Sequence, residues 1–200
     1  MKKRPHRAVF LDRDGTINKL VYYPDHGVVD SPFVPSQMKL VPGAAQALKI
    51  LKKKGFLLVV ISNQPGVAKG NMDKKTFAAI DRRFDSLLVA RGARVDAKYY
   101  CPHHPKAKIK AFRKKCNCRK PAPGLIVQSA RELGIDPKRS YMVGDGVVDI
   151  QAGQKAACKT VFIGHFKPEL WKYFGKGRKP DMVAKDLLGA ARKIRWETHV

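Results

Sequence analysis

Two short runs of uninterrupted apolar residues, Ala8-Val9-Phe10-Leu11 and Phe56-Leu57-Leu58-Val59-Val60-Ile61, end abruptly at Asp12 and Ser62. A strand with one wet face alternates apolar and polar residues. A continuously apolar one suits a parallel sheet covered by helices on both sides. Strand-like runs at 97–100, 140–144 and 159–163 continue the series. Between them lie helix-like segments: 44–54 after Pro42-Gly43, 73–91 with Asp73 as N-cap, 122–133 closed by Gly134, then 149–157 and 186–195. This alternation predicts an α/β fold, a parallel sheet with helices on both faces.

Two segments break the alternation. Residues 18–41 read as a loop rich in Pro, Tyr, His and Asp, and residues 101–121 carry three cysteines, two histidines and many cations. Both leave from carboxyl ends of strands, where open parallel sheets bind ligands. A chain of 200 residues fits one domain, 1–200. No stretch between the motifs is long enough for a large cap domain, so loops are expected to close any pocket.

The sequence holds 41 Lys+Arg against 16 Asp+Glu, a net charge of +25, with 44% hydrophobic residues. Such apolar content excludes a disordered tail, and no apolar run approaches the roughly 18–20 residues of a membrane span. Behind Met1-Lys2-Lys3-Arg4 the apolar stretch ends at Asp12, too soon for a signal peptide. A cytoplasmic monomer is expected. The cations are spread over many runs, including Lys52–Lys54, Lys106–Lys120 and Lys167–Lys179. Such a surface is either simply solvated or attracts anions. Charge alone names no partner.

Chemistry concentrates at four stations. Asp12-Arg13-Asp14-Gly15-Thr16 places two carboxylates two residues apart at a strand end, where they repel unless a divalent cation or a proton-transfer role offsets the cost. An Asx-turn explains one Asp and not both. The second strand ends at Ser62-Asn63-Gln64, Lys120 precedes Pro121, and the strand at 140–144 runs into Gly144-Asp145-Gly146, with Asp149 four residues after Asp145. Each is weak singly; four in this order are strong.

The cysteines supply a fifth feature. Cys101-Pro102-His103-His104 followed by Cys116-Asn117-Cys118 offers three thiolates and an imidazole, a closed tetrahedral set for structural Zn²⁺. Clustered cysteines in a cytoplasmic chain favour metal over disulfides. Spacing does not choose between His103 and His104. Cys158 stands apart.

Together these stations resemble the haloacid dehalogenase superfamily of phosphohydrolases. The resemblance implies a Rossmann-like core and hydrolysis through an aspartyl-phosphate. By it Asp12 is the nucleophile and Asp14 the general acid and base. Mg²⁺ is held by Asp12, the Asp14 main-chain carbonyl and Asp145, while Ser62 and Lys120 donate to the phosphoryl oxygens. Asp149 is implied to orient neighbours or to partner Lys120.

The cysteine loop, taken with Asn63-Gln64-Pro65-Gly66-Val67-Ala68-Lys69-Gly70, is similar to a narrower branch. That branch holds the heptose 1,7-bisphosphate 7-phosphatases and the related histidinol phosphatases. It implies zinc at Cys101, His103, Cys116 and Cys118, and substrate contacts from Asn63, Arg119 and Lys69. It also implies a phosphorylated sugar as substrate, on the route to lipopolysaccharide precursors. The loop Lys19–Met38 is longer than the branch pattern, and Gly146 stands where those enzymes often carry Lys. Both departures bear on which ester enters. Tyr22, Tyr23 and His26 suit either a sugar ring or local packing. The alternatives are histidinol phosphate, a 3′-phosphate on a nucleic-acid end (binding without sequence specificity), and a non-enzymatic zinc-bearing protein.

Overall fold

Strand β1 (Ala8–Leu11) is buried along its whole length, and its alternating side chains feed two separate cores. Val9 and Leu11 join one core, Ala8 and Phe10 the other. Strand β4 (Leu57–Asn63) repeats the division, with Leu58 and Val60 on the first face and Val59 and Ile61 on the second. The apolar runs are thus two half-strand patterns superposed. The computed structural model describes residues 5–164 and 179–195. The basic run expected to begin at Lys167 lies mostly outside them.

The remaining elements are the strands β2 (Val21–Tyr23), β3 (Val28–Asp30), β5 (Ala97–Cys101), β6 (Tyr141–Gly144), β7 (Lys159–Ile163) and β8 (Met182–Ala184). The helices are α1 (Ala44–Lys53), α2 (Gly66–Lys69), α3 (Lys74–Val89), α4 (Gly124–Glu132), α5 (Val147–Lys155) and α6 (Leu187–Lys193). Six strands form one sheet in the order β5-β4-β1-β6-β7-β8, every neighbouring pair parallel. Residues of α1, α3 and α6 fill the core on one face, and residues of α4 and α5 that on the other. Asp73 caps α3 as expected, its carboxylate accepting the Thr76 N–H at 2.6 Å.

Four features depart from expectation. Residues 18–41 are not simply a loop: β2 and β3 pair as an antiparallel hairpin turned by Pro24–His26 and Gly27. Its strands have three residues each and half-exposed side chains, too short for a period to emerge. Tyr23 stacks on Phe33 with ring centroids 4.4 Å apart, and its hydroxyl bonds Gln37 and the Ser31 carbonyl, so this aromatic packs locally. Tyr22 is exposed. The single turn of α2 and the edge strand β8 were likewise not expected. Helix α5 begins at Val147, two residues before the expected start, because the Asp149 carboxylate caps the Gly146 N–H at 3.0 Å.

Candidate active site

The three strand-end stations converge because β4, β1 and β6 are adjacent and parallel, with Leu11 level with Val60 and with Val143. Asp12, Ser62 and Asp145 therefore emerge side by side at the carboxyl edge. The Asp12 N–H still bonds the Val143 carbonyl at 3.0 Å, which fixes Asp12 against β6. Carboxylate oxygens of Asp12, Asp145 and Asp149 lie within 4.8 Å of one another. Burial, with the Asp12 charge next, pushes the Asp145 carboxyl up to about 6. An all-oxygen, multiply anionic set of this kind fits Mg²⁺. Thr16 donates to Asp145 at 3.2 Å, and a β-carbon on Gly15 would collide with the same carboxylate.

Lys120 arrives from outside the sheet and is buried with its ammonium fully engaged. Its Nζ is 2.7 Å from Asp12 Oδ1, 2.6 Å from Asp149 Oδ1 and 2.7 Å from the Ile61 carbonyl. The contact to Asp12 orients that carboxylate. Burial disfavours its charge, yet Asp12 and Asp149 together hold it well above the usual lysine range. Asn63 accounts for the arrival. Its Oδ1 accepts the Lys120 N–H at 3.0 Å and its Nδ2 donates to the Lys120 carbonyl at 3.2 Å.

Asp14 faces away from the Asp12 cluster. Its carboxylate accepts from Asn18 Nδ2 at 2.8 Å, from Arg13 Nε and Nη2 at 3.1–3.3 Å, and from Gln64 Nε2. Its side chain is outside the oxygen cluster, which leaves its carbonyl as the group it could offer a metal. Arg13 and Gln64, both in the strand-end motifs, have no role assigned from the sequence. Both are buried, and the sequence signal for Arg13 is a cation set between two strand-end aspartates.

The cysteine loop is built against the same edge. Cys101 ends β5 in register with Asn63, and its carbonyl accepts the Gln64 N–H at 2.8 Å. Cys118 lies two residues before Lys120. Cys101, His103, Cys116 and Cys118 converge, with Sγ–Sγ separations of 3.1–3.6 Å and His103 Nδ1 3.2 Å from Cys118 Sγ. Those sulfurs are too far apart for disulfides and close to the edges, about 3.7 Å, of a tetrahedron with Zn–S near 2.3 Å. Burial, with the Lys114 charge next, shifts the His103 imidazole below its usual range, the direction that favours metal binding. His104 points elsewhere, its Nδ1 accepting the Lys106 N–H at 3.1 Å.

The other expected contacts sit on the rim. Arg119 Nη1 bonds the His103 carbonyl at 3.1 Å, and Lys69 pairs with Asp30 of the hairpin at 3.3 Å. A groove of about 720 Å³ between the hairpin and the residues after α2 is lined by Tyr23, His26, Asp30, Lys69, Asn71 and Lys108, among others. That volume suits a small ligand.

Comparison with known proteins agrees with this arrangement. A family model described as HAD-hydrolase-like matches residues 117–190. The chain is 42% identical over 163 residues to the D-glycero-β-D-manno-heptose-1,7-bisphosphate 7-phosphatase of Pasteurella multocida, covering 81% of this chain and 84% of that one. It is 42% identical over 153 residues to the protein of the same name from Escherichia coli K12, covering 76% of each. The solved D,D-heptose 1,7-bisphosphate phosphatase of B. bronchiseptica, complexed with magnesium and phosphate, superposes with a TM-score of 0.76. Its identity is 30%, over 93% of this chain and 96% of that one. With the strand-end acids, the buried lysine and the cysteine loop in place, the chain belongs to the D-glycero-D-manno-heptose-1,7-bisphosphate 7-phosphatase family of haloacid dehalogenase-like hydrolases.

Proposed function

We propose that this chain hydrolyses a phosphomonoester through an aspartyl-phosphate on Asp12, and that the ester is the 7-phosphate of D-glycero-D-manno-heptose 1,7-bisphosphate. The observation that carries the reading is the setting of Asp12. One oxygen is tethered to the Lys120 ammonium at 2.7 Å, in a strand-end cluster with Asp145. Relatives of that name at 42% identity support the substrate.

In the first step an Asp12 oxygen attacks phosphorus, and an O–P bond forms as the bond to the sugar oxygen breaks. The departing oxygen takes a proton from Asp14. Water then attacks the phosphorus of the adduct, Asp14 accepts its proton, and the Asp12–phosphorus bond breaks to free inorganic phosphate. Ser62 donates to a phosphoryl oxygen. Asp12, the Asp14 carbonyl and Asp145 would hold Mg²⁺, which supplies charge neutralisation at the phosphoryl group when bound. Cys101, His103, Cys116 and Cys118 would hold a structural Zn²⁺ that keeps Arg119 and Lys120 in place. Arg119 and Lys69 face the substrate from the rim, with Asn63 bracing Lys120 beneath them. The enzyme acts as a cytoplasmic monomer on a soluble sugar phosphate.

Phosphate release from heptose bisphosphates of both anomers, histidinol phosphate and 3′-phosphorylated oligonucleotides tests the reading. Heptose bisphosphate is expected to give the highest kcat/KM; a higher value for either other class overturns the substrate. The stretch Ala97–Arg131 has ten Lys and Arg and no Asp or Glu, which favours the oligonucleotide as the second substrate class. Turnover of that class would fall steeply with salt through counterion release.

A further inference from the structure

Gln64 ties two of the proposed reacting groups together. Its Nε2 donates to the Asp14 carboxylate and, at 3.0 Å, to Ser62 Oγ, and its Oε1 accepts from Arg13 Nη2 at 2.8 Å. The amide has no choice of orientation. Arg13 can only donate, so the amide oxygen must face it and the nitrogen must face Asp14 and Ser62. Arg13 is itself immobile: it has no exposed surface, and its guanidinium lies 5.5 Å from the Tyr100 ring centroid and 5.9 Å from that of Phe77. Among the described residues Asp14 is its only ion-pair partner. With an N–H of Gln64 already on Ser62 Oγ, the serine proton is free to point away from the amide.

We propose that Gln64, clamped by Arg13, is a positioning residue for the transfer of the proton to the departing oxygen. It holds the Asp14 carboxyl at one bearing. The inference rests on the Asp14 role given above and goes beyond it. A residue that acts only through Asp14 matters when the departing oxygen needs a proton and little when it does not.

The test compares Gln64→Met and Gln64→Glu with Asp14→Asn, in magnesium-loaded enzyme, on a sugar phosphate and on p-nitrophenyl phosphate. Glu keeps the acceptor for Arg13 and loses the donor to Asp14; Met loses both and keeps the volume. For the sugar phosphate, both Gln64 variants are expected to lower kcat about 100-fold, the low end of a general-acid contribution, with KM unchanged. The first-turnover burst of p-nitrophenol, a leaving group that needs no proton, is expected to stay within about threefold of the parent. Equal losses on both esters, or sugar phosphate turnover within about threefold of the parent, overturn the inference. Should Met prevent folding, as seen by circular dichroism, the Glu variant decides by the same two ratios. If Asp14→Asn still turns over the sugar phosphate, the Asp14 role fails. If Asp14→Asn is dead while both Gln64 variants are active, the Gln64 inference alone fails.

Discussion

A single buried ammonium sets the electrostatics of the site. Lys120 pairs with Asp12 and Asp149 at once, and burial of Lys120 and Asp149 makes each dependent on the other. Lys120→Met in metal-free protein leaves two carboxylates facing each other without a cation. Urea denaturation is expected to show a loss of about 3–5 kcal/mol, the range for breaking a buried pair; a loss under about 1 kcal/mol contradicts the coupling. The acids of the site were legible from the sequence because two carboxylates in Asp12-Arg13-Asp14 are costly without a purpose. The direction each side chain takes was not legible. Spacing of two in an extended segment sets Asp12 and Asp14 on the same side, and only the tertiary fold brings Asn18, Arg13 and Gln64 around Asp14. The same holds for Lys120, whose expected partners were phosphoryl oxygens and whose observed partners are protein groups.

Among the elements, the cysteine loop has the least secondary structure and the most dependence on side-chain ligands. Between β5 and α4 it holds only the short turn Lys110–Phe112, and its contact with α2 includes the Ile109 N–H on the Ala68 carbonyl at 3.2 Å. Protein purified without chelator is expected to carry about one zinc per chain by mass spectrometry. Stripping it should open Lys106–Lys115 to trypsin while the sheet's far-ultraviolet circular dichroism persists. An equally resistant stripped loop contradicts a structural metal. Gly124 adds a second handle: a β-carbon there would strike the Asn117 carbonyl, between two ligands. Gly124→Ala is therefore expected to speed zinc loss to a chromogenic chelator, and an unchanged rate would show that α4 does not brace the loop. Long strands and helices were readable because their burial imposes a period. The hairpin, α2 and β8 were not, since three or four residues held by a turn glycine, a Tyr23–Phe33 stack or an edge pairing carry no period.

Over the whole molecule, the sheet order brings stations far apart in sequence to one edge, and the chain carries a net charge of +25. Among the described residues, the cations of Lys106–Lys115 have no carboxylate within ion-pair reach. Their field extends about 10 Å at 0.1 M salt and is screened beyond it. For a bisphosphate, kcat/KM is expected to fall several-fold as salt rises from about 20 to 300 mM while kcat stays level; a flat kcat/KM would mean that the surface charge does not steer substrate. All of this serves one covalent event, and rapid acid quench of enzyme turning over ³²P-labelled substrate, followed by peptide mapping, reads it directly. Label on Asp12, absent from Asp12→Asn, is the predicted result. Label on another residue, or steady phosphate release by Asp12→Asn, would contradict it.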